Sequence, residues 1–162
     1  MVKIGVVSDT HINSFEDLPK KLLRAFEGLD IILHAGDLVN LSVFEGLKRL
    51  SPRVYAVWGN MDPPDVRRAL PEKSIIQVKQ FRIGLTHGRG TPFNLLPTIR
   101  EIFKGEALHC IIYGHSHFAH NEFIQDILYF NPGSPTDKFF ASHNSYGILQ
   151  IDKKIVGKII RI

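Results

Sequence analysis

Short apolar runs alternate with stretches of helical period through the first seventy residues. VKIGVVS (residues 2–8) is a β-branched run, and after a loop LPKKLLRAFEGL (18–29) places Leu18, Leu22, Leu23, Phe26 and Leu29 at helical spacing. The pattern then repeats. DIILHAGD carries an apolar run from Ile31 to Leu33 that ends in Gly36 and Asp37, and LSVFEGLKRL sets Leu41, Phe44, Leu47 and Leu50 on one helical face. RVYAVWGN (53–60) opens a third unit, followed by the turn MDPP and a short helix near DVRRAL, with Pro64 at its start. Three strand-to-helix units in succession predict parallel strands joined by crossovers.

Beyond residue 72 the period changes. SIIQVK and FRIGLTHG are close enough to pair as a hairpin ahead of a last helix around Leu95 to Phe103. Strands then dominate: HCIIYG, NEFIQDILYF with a turn inside it, SYGILQI, and IVGKIIRI joined to it across Asp152 to Lys154. The final pair reads as a hairpin with lysine guarding an edge. The predicted fold class is α/β, with one mixed sheet opposed by a second sheet and helices outside. At 162 residues, with no repeat or linker, the chain is read as one domain, residues 1–162.

Composition narrows the setting. Hydrophobic residues make up 44% and charged residues 22%, close to globular averages, so a folded chain is expected. The apolar runs are too short to cross a membrane, and MVKIGVVSD does not look like a leader. The lone Cys110 lies inside an apolar run and is expected to be a buried, inert thiol. A cytoplasmic, reducing setting follows as the expectation. The net charge of +4 permits attraction to anions, but Lys20, Lys21, Arg24, Lys48, Arg49, Arg67, Arg68, Lys153 and Lys154 are scattered and not interleaved with stacking aromatics. Nucleic acid is therefore not expected as the main partner, and a homo-oligomer is left open.

The informative residues stand at strand ends: Asp9-Thr10-His11, Gly36-Asp37, Gly59-Asn60, His87-Gly88 and Gly114-His115-Ser116-His117. In open α/β sheets ligands bind outside the carboxyl ends of strands, where loops converge. Singly, Asp9 and Asp37 could cap helices, Asn60 could be a turn residue and His87 a hydrogen-bonded histidine. As a set, two carboxylates, one amide oxygen and four imidazoles suit a pair of first-row transition metals. If 9–11 and 115–117 are extended, residues i and i+2 share a side and can address neighbouring coordination sites. Glycine at 36, 59, 88 and 114 would let backbone approach the cluster.

These blocks, in this order, resemble the calcineurin-like metallophosphoesterase superfamily, whose pattern is D-x-H, G-D, G-N-H and an acidic residue, H, and G-H-x-H. With the trailing strands and the turn Asn131-Pro132-Gly133-Ser134, the match spans essentially the whole chain. Its length is similar to that of the small bacterial and archaeal phosphodiesterases and of the retromer subunit that shares their fold. The resemblance implies a two-sheet β-sandwich flanked by helices, with two divalent ions (Mn, Ni, Zn or Fe) at one end. One ion would be held by Asp9, His11, Asp37 and His117, and the other by Asp37, Asn60, His87 and His115, with Asp37 shared. These seven residues would be the catalytic set, acting on a small phosphoester, most simply a diester, through a metal-bridging hydroxide. Two dications less two carboxylates and one hydroxide leave about one net positive charge, suited to a phosphoester anion. Two rival readings remain: a protein-binding scaffold that keeps the fold with little activity, and a nuclease, which the scattered basic residues do not favour.

Met61 departs from the pattern, since histidine would stand there to bind phosphate and protonate the leaving oxygen. Methionine cannot donate a proton. Asp62, the next residue, is a candidate to orient such a ring. Among the remaining residues, His34 is expected to be a hydrogen-bonded core histidine, His109, His120 and His143 carry no motif, and Arg89 is a candidate phosphate contact. Asn131 to Ser134 reads first as a tight turn and second as a pocket wall.

Overall fold

The structure, a computed structural model, describes all of residues 1–162. Two five-stranded mixed sheets lie face to face with helices on both outer surfaces. The first sheet contains β1 (Val2–Val7), β2 (Ile31–His34), β3 (Val54–Ala56), β9 (Ser145–Ile151) and β10 (Ile155–Arg161), in the order β10-β9-β1-β2-β3. The second contains β4 (Lys73–Val78), β5 (Phe81–Thr86), β6 (Cys110–Ile112), β7 (His120–Ile124) and β8 (Ile127–Asn131), in the order β4-β5-β6-β8-β7. Helices α1 (Lys20–Phe26), α2 (Leu41–Leu47) and α3 (Pro64–Ala69) cover the first sheet, and α4 (Leu96–Ile102) covers the second. No helix is long and apolar enough to cross a membrane.

The period of two in the strands sorts side chains between layers. Ile4, Val6, Ile31 and Leu33 from the first sheet meet Ile83, Leu85, Cys110, Ile112, Leu128 and Phe130 from the second. Their neighbours Val7 and Ile32 turn outward onto α1 and α2, while Ile111, Tyr113 and Tyr129 turn outward onto α4. Removing such a side chain from water contributes about 1.5–3 kcal/mol. As expected, β1, β2 and β3 are parallel, β4 pairs with β5 as a hairpin, and β9 pairs with β10 across a turn bearing Lys153 and Lys154. The turn inside NEFIQDILYF falls at Gln125-Asp126, both left-handed with φ of 49° and 64°, which suits a two-residue hairpin turn.

The first helix is shorter than its apolar period predicts. Leu18 precedes Pro19 and is held extended with ψ 141°, so Phe15–Asp17 forms a separate 3-10 turn and α1 begins only at Lys20. Glu27 is also extended and Gly28 left-handed, which leaves Leu29 outside the helix although it still packs against the same core.

Candidate active site

Five strands deliver their C-terminal loops to one end of the sandwich. β1 leads into Asp9 and His11, β2 into Asp37, β3 into Asn60, β5 into His87, and β6 into His115 and His117. Backbone hydrogen bonds lace these loops together: Asp9 N–H donates to Gly36 O (3.0 Å), His11 N–H to Asp37 O (3.1 Å) and Gly114 N–H to His87 O (3.2 Å). The segments 9–11 and 115–117 are not extended, which corrects the expectation that strand pleat sorts their side chains. Asp9, His11, Asp37, His115 and His117 all have positive φ, between 44° and 69°. For non-glycine residues such backbone is costly, by about 1–3 kcal/mol each, and it concentrates at functional sites. Close approach needs glycine at two loops in particular. A Cβ at Gly59 would overlap the Asp37 carboxylate, and one at Gly114 would overlap Ser8 Oγ and come within 2.7 Å of Asp9 Oδ2. Gly88 is different, since its Cβ would first meet Ile99, away from the cluster.

All seven residues singled out by sequence come together. His11 Nε2 and His117 Nε2 lie 3.3 Å apart, with Asp9 Oδ1 at 3.4 Å from His117 and Asp37 Oδ2 at 3.5 Å from His11. On the other side of Asp37, the same Oδ2 is 3.3 Å from His87 Nε2, while Asn60 Oδ1 lies 3.0 Å from His87 Nε2 and 2.9 Å from His115 Nδ1. Two four-atom groups therefore share one carboxylate oxygen. Asp9 and Asp37 do not cap helices; Asn40 does so for α2, accepting from Ser42 N–H at 2.9 Å.

Outer contacts fix which nitrogen of each imidazole faces inward. His87 Nδ1–H donates to Ala35 O (2.7 Å), His115 Nε2–H to Gly90 O (2.8 Å), and His117 Nδ1–H to Asp137 Oδ2 (2.5 Å). In the neutral ring the opposite nitrogen is then the one without a proton, turned toward the cluster as ion binding requires. Asp9 Oδ2 accepts from Ser8 Oγ–H and from His115 N–H, but Asp9 Oδ1 is buried without any hydrogen-bond partner. An orphaned buried carboxylate oxygen among inward-turned imidazoles fits a cation, because burial without a partner is costly and a divalent ion supplies one.

Three supporting residues act at this end. Asp137 had no motif in the sequence; its only local signal is an Asx turn, with Oδ1 accepting from Phe139 N–H (2.7 Å) and Phe140 N–H (3.1 Å). Burial opposes its charge, yet these donors, His117 and Ala141 N–H hold its carboxyl down at about 2. Asp62, the candidate to orient a ring at position 61, is buried and binds backbone. Its carboxylate accepts N–H from Asp37 (2.9 Å), Val39 (2.6 Å) and Gly59 (2.7 Å), clamping the loops that carry Asp37 and Asn60. His34 is buried, accepts Gly36 N–H at Nδ1 (3.2 Å) and donates from Nε2 to Thr10 Oγ1 (3.1 Å). Burial pushes its imidazole down to about 3, so it stays neutral.

The turn after β8 is a buttress as well as a wall. Asn131 Nδ2 donates to Gly114 O and Ser116 Oγ, and Ser134 Oγ donates to Asp9 O. Arg89 instead turns to Glu72, 3.7 Å away. His109 accepts Arg82 N–H, and His120 sits between Tyr113 OH and Glu122, both remote from the cluster. A cleft of about 920 Å³ opens above the site, with Ile12, Met61, Lys138, Phe139 and Asn144 on its walls. Met61 is 61% exposed there.

Before any ion binds, the buried carboxylates act on His87. Burial alone would push its imidazole down, but the hydrogen bond that its Nε2–H donates to Asp37 and the charges of Asp9 and Asp37 outweigh it and hold His87 up at about 9. The stabilisation from this imidazolium is complete below the ordinary value near 6.5 and is lost as pH rises through about 9. An ion held at Nε2 would have to displace that proton. Calorimetric Mn²⁺ titrations in buffers of different ionisation enthalpy should therefore show proton release, with affinity rising as pH approaches about 9 and levelling above it. Affinity that is flat with pH would show that His87 does not carry that proton.

Comparison with known proteins agrees with this geometry. The calcineurin-like phosphoesterase superfamily domain matches residues 2–154, and the chain belongs to that superfamily. It is 39% identical to the “probable metallophosphoesterase” of Methanocaldococcus jannaschii, over 98% of this chain and 81% of that protein. It is also 27% identical to a phosphodiesterase of the same organism, over 98% of this chain and 99% of that one. In fold it is similar to Vps29 of Entamoeba histolytica crystallised with Zn²⁺, with TM-score 0.78 and 20% identity over 99% of each chain.

Proposed function

We propose that the protein is a dinuclear metal-dependent phosphodiesterase. The observation that carries the reading is the orphaned Asp9 Oδ1 within two ligand groups that share Asp37 Oδ2. Asp9, His11, Asp37 and His117 would hold one ion, and Asp37, Asn60, His87 and His115 the other. The mixed nitrogen and oxygen set suits manganese, nickel, zinc or iron. Ions held there would supply Lewis acidity and an activated water.

The chain's own part is to orient and to exclude. Ala35 O, Gly90 O and Asp137 keep three imidazoles turned inward, while Asp62 and Ser134 fix the loops on which the carboxylates ride. Asp37 and Asn60 both line the cleft, where the ester would lie. At residue 61, where an imidazole would protonate the leaving oxygen, a thioether faces the cleft, so the site favours esters whose leaving group departs as a stable anion. A diester, with one negative charge, matches the estimated surplus of about one positive charge better than a dianion.

The test is metal-stripped protein reloaded with Mn²⁺, Ni²⁺, Zn²⁺ or Mg²⁺ and offered bis(p-nitrophenyl) phosphate and p-nitrophenyl phosphate. Two ions per chain and faster turnover of the diester are expected. Full occupancy with no turnover of either ester would leave the scaffold reading.

A further inference from the structure

Beside the cleft lies a groove of about 310 Å³ walled by Pro92, Phe93, Phe118, Phe139 and Phe140, with His115 and His117 on its inner side. Phe93 and Phe139 are 86% and 87% exposed, and none of the four phenylalanines belongs to a core cluster. Of the eight exposed large apolar residues in the chain, five (Met61, Phe93, Phe118, Phe139 and Phe140) border this groove or the adjoining cleft. They come from four separate segments, so the convergence is a product of the fold. Exposed apolar surface gathered beside a polar reacting centre marks a binding site.

The groove is tied to the reacting centre. Asp137, which turns His117 inward, also accepts the N–H groups of Phe139, Phe140 and Ala141. The Phe140 ring stands edge-on to His117, with centroids 5.8 Å apart and planes at 85°. Ser116 Oγ meanwhile bonds the backbone of Phe118 on both sides, accepting from its N–H and donating to its carbonyl. A flat ring seated among these phenylalanines would lie against the same two imidazoles that face the phosphoester.

We propose that this groove is a second subsite, which takes a nucleobase on the nucleoside arm of a phosphodiester by stacking. The proposal rests on the phosphodiesterase reading for its chemistry. Volume and continuity with the cleft favour this occupant: the groove is at the lower limit of small-ligand sites, about 300 Å³, and opens onto the phosphoester position. Scattered surface lysines and arginines provide no track for a polymer, which points to a small nucleotide ester.

The experiment compares two esters with one leaving group, methyl p-nitrophenyl phosphate and thymidine 5′-(p-nitrophenyl phosphate), on the Mn²⁺-loaded protein. The thymidine ester is expected to have a KM about tenfold lower, and Phe139→Ala or Phe93→Ala should bring the two KM values together. Binding without turnover gives an independent readout: thymidine 5′-monophosphate should bind about tenfold more tightly than inorganic phosphate, a difference that Phe139→Ala removes. No turnover of either ester would overturn the phosphodiesterase reading, while the binding comparison would still decide the subsite. Equal KM values, equal affinities, or a preference that survives both substitutions would overturn the subsite alone. A dimer that dissociates on Phe139→Ala would overturn it too, assigning the groove to a second copy of the chain.

Discussion

Asp37→Asn is expected to leave a folded protein that holds one divalent ion or fewer per chain and cleaves diesters on the order of 10³-fold more slowly, a loss at least that of one transition-state donor. The amide keeps the shape of the carboxylate and can still accept Met61 N–H through Oδ1, a contact of 2.8 Å in the native protein. What disappears is the charge at the Oδ2 position, which faces His11 at 3.5 Å and His87 at 3.3 Å. One substitution therefore strikes both ligand groups, unlike His11→Ala or His115→Ala. It also removes a charge that holds the His87 imidazole up, so the proton released on ion uptake should shrink with it. Elemental analysis, calorimetry and turnover of bis(p-nitrophenyl) phosphate check the three effects. Retention of two ions and full activity would defeat the dinuclear assignment.

Met61→His should raise turnover of alkyl diesters by about tenfold, below the 10²- to 10⁴-fold that a well-placed general acid gives. An aryl oxide leaves without help, so aryl diesters should gain little. The residue is exposed on the cleft wall, and the exchange should therefore cost little stability. The gain is limited because the Asp62 carboxylate is buried and committed to the N–H groups of Asp37, Val39 and Gly59, which leaves it poorly placed to steady the new ring. Rates for alkyl and aryl diesters at equal metal occupancy give the answer. A folded, fully loaded variant with no selective gain on the alkyl ester would show that the missing proton donor is not what limits this site.

Much of the reacting centre is legible in the chain because strand period and strand termini are local properties. An apolar run such as DIILHAGD states both that Ile31 and Leu33 face one way and that Asp37 follows the strand at its C-terminal end. Pro64 at the start of α3 and the Gln125-Asp126 turn are equally local. Where one local signal opposed another the reading failed: the apolar period ran through Pro19 and past Gly28, but proline's effect on Leu18 and the left-handed glycine cut the helix at both ends.

The seven polar residues at five strand ends, and the family pattern they form, were determined by sequence alone. Tertiary structure decided how they are held. The left-handed backbone at Asp9, His11, His115 and His117 could not follow from residue type, since only surrounding contacts stabilise it. Which imidazole nitrogen faces inward depends on Ala35 O, Gly90 O and Asp137, partners 20 to 52 residues away in the chain. Asp62 followed the family motif yet took another task, because three unpaired N–H groups at the junction of two loops draw a carboxylate more strongly than an exposed side chain does. The phenylalanine groove is likewise assembled from segments distant along the chain, and residues 92–93, 118 and 139–140 become neighbours only when β5, β6 and β8 bring their following loops to the same end.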